Sequence, residues 1–195
     1  MTGSGELQSD RPNEEAQLVA RIAARDEHAF RTAIEAHASL MHRIAYRMMG
    51  DAHEAEDIAQ EAMLRLWDHA PRLDKRAGVK IAPWLKRVTI NLAIDRLRIA
   101  KRNSDSEVPD RADETPLADT QIEEKQEGAA ARALIAALPD RQRAAIVLTY
   151  YEELPNIEAA AALDMNIKAF ESLLHRARAA LKKAFAKQES NGGAA

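Results

Sequence analysis

The run Asn156 to Phe185, NIEAAAALDMNIKAFESLLHRARAALKKAF, constrains the fold more than any other stretch. Asn156 to Leu163 reads as a short Ala-rich helix, and Asp164 to Asn166 interrupts it. A second helix follows, with Ile167, Phe170, Leu173, Leu174, Ala177, Leu181 and Phe185 three and four residues apart. That spacing draws one apolar stripe at helical period. A short helix, a three-residue turn and a longer basic helix make the outline of a helix-turn-helix. The face away from the stripe carries Lys168, Ser172, His175, Arg176, Lys182 and Lys183. From Ile167 to Lys187, six Lys or Arg stand against one acid, Glu171, a balance of +5. Such a helix suits a DNA major groove and its phosphates, although a solvated basic surface satisfies the same spacing.

The remaining composition favours helices. Hydrophobic residues make up 46% of the 195, but aromatics only 4%, and Ala supplies much of the apolar content. That balance suits helices packed through Ala, Leu and Ile rather than a sheet. Cysteine is absent, which excludes disulfides and thiolate metal sites and points to a reducing compartment. No apolar run approaches the ~18 residues of a membrane span, so no direct membrane insertion is expected. The opening MTGSGELQSDRPNEE is polar and acidic, unlike a signal peptide, so the reading is a cytoplasmic protein. The six histidines form no HExxH pair and the seven glycines no phosphate-cradling loop. No metal, cofactor, small-molecule substrate or enzymatic activity is therefore expected.

The net charge of −3 conceals a segregation that divides the chain. Residues 14–102 alternate helical patterns with short breaks, after a tail of 1–13 predicted to be disordered. The last helix of that block, Trp84 to Arg102, holds six Lys or Arg against Asp95, again +5. Residues 103–127 hold nine acids, two bases and two prolines, a balance of −7. Such a segment buries too little apolar surface to offset chain entropy, so a mobile linker is expected. Residues 128–187 form the second helical block, and 188–195 read as a disordered tail. The fold class is all-α, with two small helical domains joined by a flexible acidic linker.

Four helices are predicted in the first block. Asn13 can cap one that carries Leu18, Val19 and Ile22. A long helix from about Glu27 to Met49 turns Phe30, Ile34, Leu40, Met41, Ile44 and Met48 inward, and Gly50 ends it. A third, from about His53 to His69, sets Ile58, Ala62, Leu66 and Trp67 against an acidic side of Glu54, Glu56, Asp57 and Glu61, and Pro71 stops it. The fourth is the basic helix, with Leu85, Val88, Leu92, Asp95 and Ile99 as its inward row, Asp95 making an internal hydrogen bond. Trp67 and Trp84 read as core residues.

Four motifs in one order carry a resemblance: DAHEAEDIAQEAMLRLW (Asp51 to Trp67), WLKRVTINLAIDRLR (Trp84 to Arg98), LPDRQRAAIVLTYYEEL (Leu138 to Leu154) and the helix-turn-helix. Together they resemble a bacterial extracytoplasmic-function (ECF, group 4) RNA polymerase sigma factor, over about residues 14 to 187. The resemblance implies that the blocks are sigma regions two and four. The implied partners are core RNA polymerase, through its β′ clamp helices and β flap, promoter DNA and an anti-sigma factor. Glu54, Asp57, Gln60 and Glu61 would meet the clamp helices. The loop Leu73 to Pro83, with Lys75, Arg76 and Lys80, would capture a flipped base of the −10 element, whose unstacking costs a few kcal/mol. Lys86, Arg87, Asn91, Arg98, Lys101 and Arg102 would meet the −10 duplex. Lys168, Glu171, Ser172, His175, Arg176, Arg178 and Lys182 would read the −35 element. The linker would thread the polymerase cleft towards the RNA exit path.

The chain departs from the family pattern at the helix-turn-helix. Asp164 stands where glycine is common, and Asp tolerates the left-handed backbone better than most residues. Glu153-Leu154-Pro155 replaces Gly-Leu-Ser, leaving Asn156 or Pro155 to open the helix. Glu171 and Leu173 stand where Lys and Arg are frequent. Leu173 reads as packing, and Glu171 as an acceptor for a cytosine amino group. A sigma-like decoy that titrates an anti-sigma factor without binding promoters is the alternative. Retention of Arg176, Arg178, Lys182 and Lys183 argues against it. A repressor with a separate sensor domain would leave the acidic helix and the first basic helix unexplained.

Overall fold

Capping chemistry sets the boundaries of the first block. The computed structural model describes residues 11–75, 80–104 and 130–192. Helix α1 (Arg11–Ala23) begins before Asn13, so that residue lies in the first turn and not at the cap. Helix α2 (Glu27–Met49) starts at Asp26, whose Oδ1 accepts the amides of His28 at 2.9 Å and Ala29 at 3.1 Å. The Ala29 amide, and then the Arg21 side chain, hold the Asp26 carboxyl below its ordinary range. Gly50 ends α2 at φ 75, its N–H donating to Tyr46 O at 2.8 Å. Asp51 then caps α3 (Ala52–Leu73) through Glu54 N at 2.8 Å.

Pro71 does not stop α3. The helix continues to Leu73 with Pro71 in its last turn. A proline there leaves the carbonyl four residues earlier without its amide partner. That carbonyl belongs to Trp67, and Arg25 Nη1 donates to it at 2.9 Å while its guanidinium stacks 4.9 Å from the Trp67 ring. Helix α4 (Ile81–Ser104) begins three residues before Trp84 and extends past Arg102. Glu15 of α1 accepts the Ile81 amide at 2.7 Å, so α1 supplies the cap that the start of α4 lacks in its own sequence. Met41, Ile44, Met48, Ile58, Leu66 and Leu85 are fully buried between these helices. Trp67 and Trp84 pack against that core, Trp67 beside Phe30 and Trp84 beside His69.

The second block contains a helix α5 over residues 130–136, α6 (Asp140–Ile146), a π-helical turn (Val147–Tyr151), α7 (Asn156–Ala162) and α8 (Ile167–Gly192). Pro155 occupies the cap of α7 and accepts the amides of Glu158 and Ala159 through its carbonyl. Asp164 adopts φ 56. Met165 N donates to Ala160 O at 2.9 Å and Asp164 N to Ala161 O at 3.2 Å. These two bonds are a Schellman closure with aspartate in the position usually given to glycine. Asn166 Oδ1 then accepts the Ala169 amide at 2.9 Å and caps α8. Phe170, Leu173, Leu174 and Ala177 are buried as the stripe predicts, while Ile167 and Phe185 are each 42% exposed at its ends.

Residues 188–192, expected in a disordered tail, continue α8, and residues 103–104, expected in the linker, complete α4. The rest of the linker lies outside the described residues. The two blocks do not stand apart: α4 packs on α6 and α7, and α2 on α6 and the π-helical turn. Arg143 of α6 is buried at this junction, its guanidinium donating to Met48 O of α2 and Ala136 O of α5. Burial lowers its pKa from the usual value, with Asp140 opposing the shift.

Candidate nucleic-acid and polymerase interfaces

Helix α8 gathers the −35 candidates on one side. At about 100° per residue, Lys168, Glu171, Ser172, His175, Arg176, Arg178 and Lys182 fall within about 80° of the Lys168 direction. All seven are exposed, opposite Phe170 and Ala177. Ser172 Oγ donates to Lys168 O at 3.0 Å and Arg176 Nε to Ser172 O at 3.3 Å, both within the helix. Glu171, Ser172, His175 and Arg176 line a shallow open depression.

The polymerase-binding candidates lie along α3. Asp57 and Gln60 are exposed, and Gln60 Nε2 donates to Glu56 Oε1 at 3.2 Å. Glu54 and Glu61 are bridged by Arg96 of α4, whose Nη1 lies 2.9 Å from Glu54 and Nη2 3.5 Å from Glu61. Glu61 also accepts from Arg65 at 2.7 Å. Sequence reading missed Arg96, which counted only as one of six cations. Its place one turn beyond Leu92, on the side facing α3, was the available signal.

The expected inward row of α4 needs correction. The Asp95 side chain is 67% exposed and, among the described residues, pairs only with Arg98, at 3.6 Å, and Ile99 is 45% exposed. Ile90, Ala93 and Ile94 are buried instead. Two faces of α4 are covered, and a single-stripe reading averages them. Leu85, Thr89 and Leu92 pack within the first block, where Thr89 Oγ1 donates to Met41 Sδ at 3.0 Å. Ile90 and Ile94 share a helical stripe with Arg87 and Lys101. Arg87 meets Asp164 at 3.0 Å and Lys101 meets Asp140 at 2.6 Å, both in the second block.

The other −10 candidates scatter. Lys75, Lys80, Arg98 and Arg102 are exposed, Asn91 is half-buried, and Arg76 lies outside the described residues. Lys86 points to the junction. There the π-helical turn delivers Glu152, whose side chain is 2% exposed, into a cradle of three cations. Arg47 Nη1 is 2.7 Å from it, Arg43 Nε 3.6 Å and Lys86 Nζ 3.9 Å. Arg47 also stacks on Tyr151, 4.4 Å from the ring centroid. Arg43, Arg47 and Glu152 were not read from the sequence, where an extra residue per turn in Val147–Tyr151 leaves no mark.

Among the described residues no group of three His, Asp or Glu side chains is placed to hold a metal ion, and no helix is long and apolar enough to cross a membrane. Residues 33–103 match the family model Sigma-70 region 2, and residues 129–181 match Sigma-70, region 4. The chain is 31% identical over 185 residues to the ECF RNA polymerase sigma factor SigW of Bacillus subtilis, covering 85% of this chain and 93% of that protein. The chain is an ECF sigma factor. Its fold is shared with CnrH, solved in complex with the cytosolic domain of CnrY, at TM-score 0.64 and 23% identity over 89% of this chain and 97% of that one. It is shared too with the sigma factor RpoE of Bartonella quintana, solved with the anti-sigma factor NepR. There the TM-score is 0.62 and the identity 20%, over 79% of this chain and 94% of that one. In this sigma factor, the acidic face of α3, α4 up to Asn103 and α8 up to Leu181 belong to the matched regions.

Proposed function

We propose that this chain is a group 4 ECF sigma factor that binds core RNA polymerase in the cytoplasm and directs promoter-specific transcription initiation. The carrying observation is that one chain unites an exposed acidic helix face, a basic α4 and a helix-turn-helix within matched sigma regions. In this reading residues 14–102 act as region two and 128–187 as region four. Asp57, Gln60 and the carboxylates of Glu54 and Glu61 meet the β′ clamp helices, while region four meets the β flap. Lys75, Arg76, Lys80, Lys86, Arg87, Asn91, Arg98, Lys101 and Arg102 serve the −10 element. The exposed row of α8 serves the −35 element, its first turns nearer the bases and Arg176, Arg178 and Lys182 nearer the phosphates. The chain has no catalytic role of its own. A separate anti-sigma factor restrains it, as NepR binds the similarly folded RpoE.

Run-off transcription with purified core polymerase tests this. Core enzyme plus this protein should initiate at one class of promoter among genomic fragments of its source organism. No transcript on any such fragment would overturn the reading, and binding to an anti-sigma factor without transcription would favour the decoy.

A further inference from the structure

The cradle around Glu152 is larger than its occupant requires. Three cations, Arg43, Arg47 and Lys86, converge on one carboxylate, leaving a local surplus of two positive charges. A single buried carboxylate is satisfied by one good charged partner with its hydrogen bonds. Three cations held on one carboxylate repel one another, an arrangement suited to a polyanion.

Glu152 is also not alone. Asp164 stands on Arg87 and Asp140 on Lys101, so the second block sets three separate carboxylates against cations of the first. From Lys86 to Lys101 along α4 is about 22 Å at 1.5 Å per residue. Along the axis of a DNA duplex that length spans roughly six phosphates of one strand. The second block thus lays an acidic edge along a basic track.

Resting on the sigma reading above, we propose that Arg43, Arg47 and Lys86 form a phosphate site for promoter DNA, and that Glu152 occupies it as an internal competitor. Arg43 and Arg47 on α2 thereby extend the DNA track of α4 by two residues. While the blocks are closed, the carboxylates of Glu152, Asp164 and Asp140 hold the places that phosphates would take. Promoter binding by the first block and the closed arrangement exclude each other. Because the occupants are carboxylates and the contacts are ionic, DNA and added salt both weaken the closed state.

The full chain has no cysteine, so a dye pair can be placed on α1 and α8 through two introduced cysteines. Affinity is read by anisotropy with a fluorescein-labelled single-stranded DNA of mixed sequence. Glu152→Gln should lengthen the dye distance and tighten DNA binding about tenfold. Adding Arg43→Gln should remove much of that gain and make the salt slope shallower by about 0.7. A lengthened distance with DNA affinity and slope unaffected by Arg43→Gln would overturn the phosphate site. So would displacement of DNA from other cations but capture of polyglutamate by the cradle, which would assign it to an acidic protein. An unaltered distance and affinity in a folded Glu152→Gln variant would overturn the competitor. Should that variant not fold, Arg43→Gln decides by itself, because the Arg43 side chain is 51% exposed and its ion pair with Glu152, at 3.6 Å, is long. Reconstituted with core polymerase, it should shorten promoter retention severalfold at raised salt, and unaltered retention would overturn the proposal. Failure of the wild-type protein to start any transcript strikes the sigma reading instead, since the dye-distance and anisotropy measurements do not need polymerase.

Discussion

Helices α4 and α8 carry the same formal balance, +5 over Trp84 to Arg102 and +5 over Ile167 to Lys187, yet they spend it differently. On α8, Lys168, Arg176, Arg178 and Lys182 are exposed and make no ion pair among the described residues. On α4, Lys86, Arg87, Arg96 and Lys101 each meet a carboxylate from another element. The charge of a helix says that it seeks anions, not whether the anion is DNA or the protein itself. The apolar residues decide that. One buried stripe leaves α8 a whole basic face, whereas α4 is covered on two sides and turns cations towards each neighbour.

The strongest way to test the α4 side is to remove Arg143, the buried tie between the blocks. Arg143→Ala would leave the Met48 and Ala136 carbonyls without their donor and vacate a buried volume. The Met48 carbonyl is buried whereas Ala136 is open to water, so one unsatisfied group at about 1–3 kcal/mol together with the vacated volume gives an expected loss of about 3 kcal/mol in urea unfolding. A loss below about 1 kcal/mol would mean that the junction contributes little, and the contrast with α8 would weaken.

DNA titrations sharpen the same contrast. Arg176→Ala on α8 should weaken binding across sequences and make the salt slope shallower by about one unit. Arg87→Ala on α4 should change the slope of the free protein much less, because Asp164 already pairs with that guanidinium. Equal slope changes for the two variants would show that α4 is as available to DNA as α8. Glu171→Ala should instead alter base preference at one or two positions with little effect on salt dependence.

Polymerase docking offers a cleaner target than charge counting suggests. Glu54 and Glu61 hold Arg96, so changing them disturbs the packing of α3 on α4. Asp57 is exposed and makes no such pair. Asp57→Lys should therefore weaken retention of core polymerase severalfold in a pull-down without lowering stability by more than about 0.5 kcal/mol. Normal retention would return Asp57 to the solvated surface.

The parts legible in sequence were those governed by local rules. The stop at Gly50, the left-handed Asp164 and the α8 stripe follow from residues within a turn or two, whereas the caps at Asp26 and Asp51, equally local, emerge only from the structure. Illegible parts depended on distant partners. Pro71 remains helical while Arg25, forty-two residues from Trp67 in sequence, satisfies Trp67 O. Asp95 faces out because Ile90 and Ile94 claim the second covered face of α4. Glu152 lies in the run Tyr150-Tyr151-Glu152-Glu153, where no periodicity marks it as buried. Only the π-helical turn and the α2 cations give it an inward role.

The smallest expected effect comes from Asp164→Gly, and its sign is set by opposing terms. Glycine relieves the left-handed backbone, a conformation that costs L residues 1–2 kcal/mol, though less for aspartate. It also loses more chain entropy on folding, by about 0.5–1 kcal/mol, and gives up an exposed ion pair worth little. These nearly cancel, so stability should move by less than about 0.5 kcal/mol. The useful readout is Arg87, which that substitution releases. In the Asp164→Gly background, Arg87→Ala should make the DNA salt slope shallower by about one unit, the change that Arg176→Ala produces without any release. If Arg87→Ala remains silent there, the basic face of α4 is a structural seam rather than a second DNA surface, and the two helices differ in kind and not merely in occupancy.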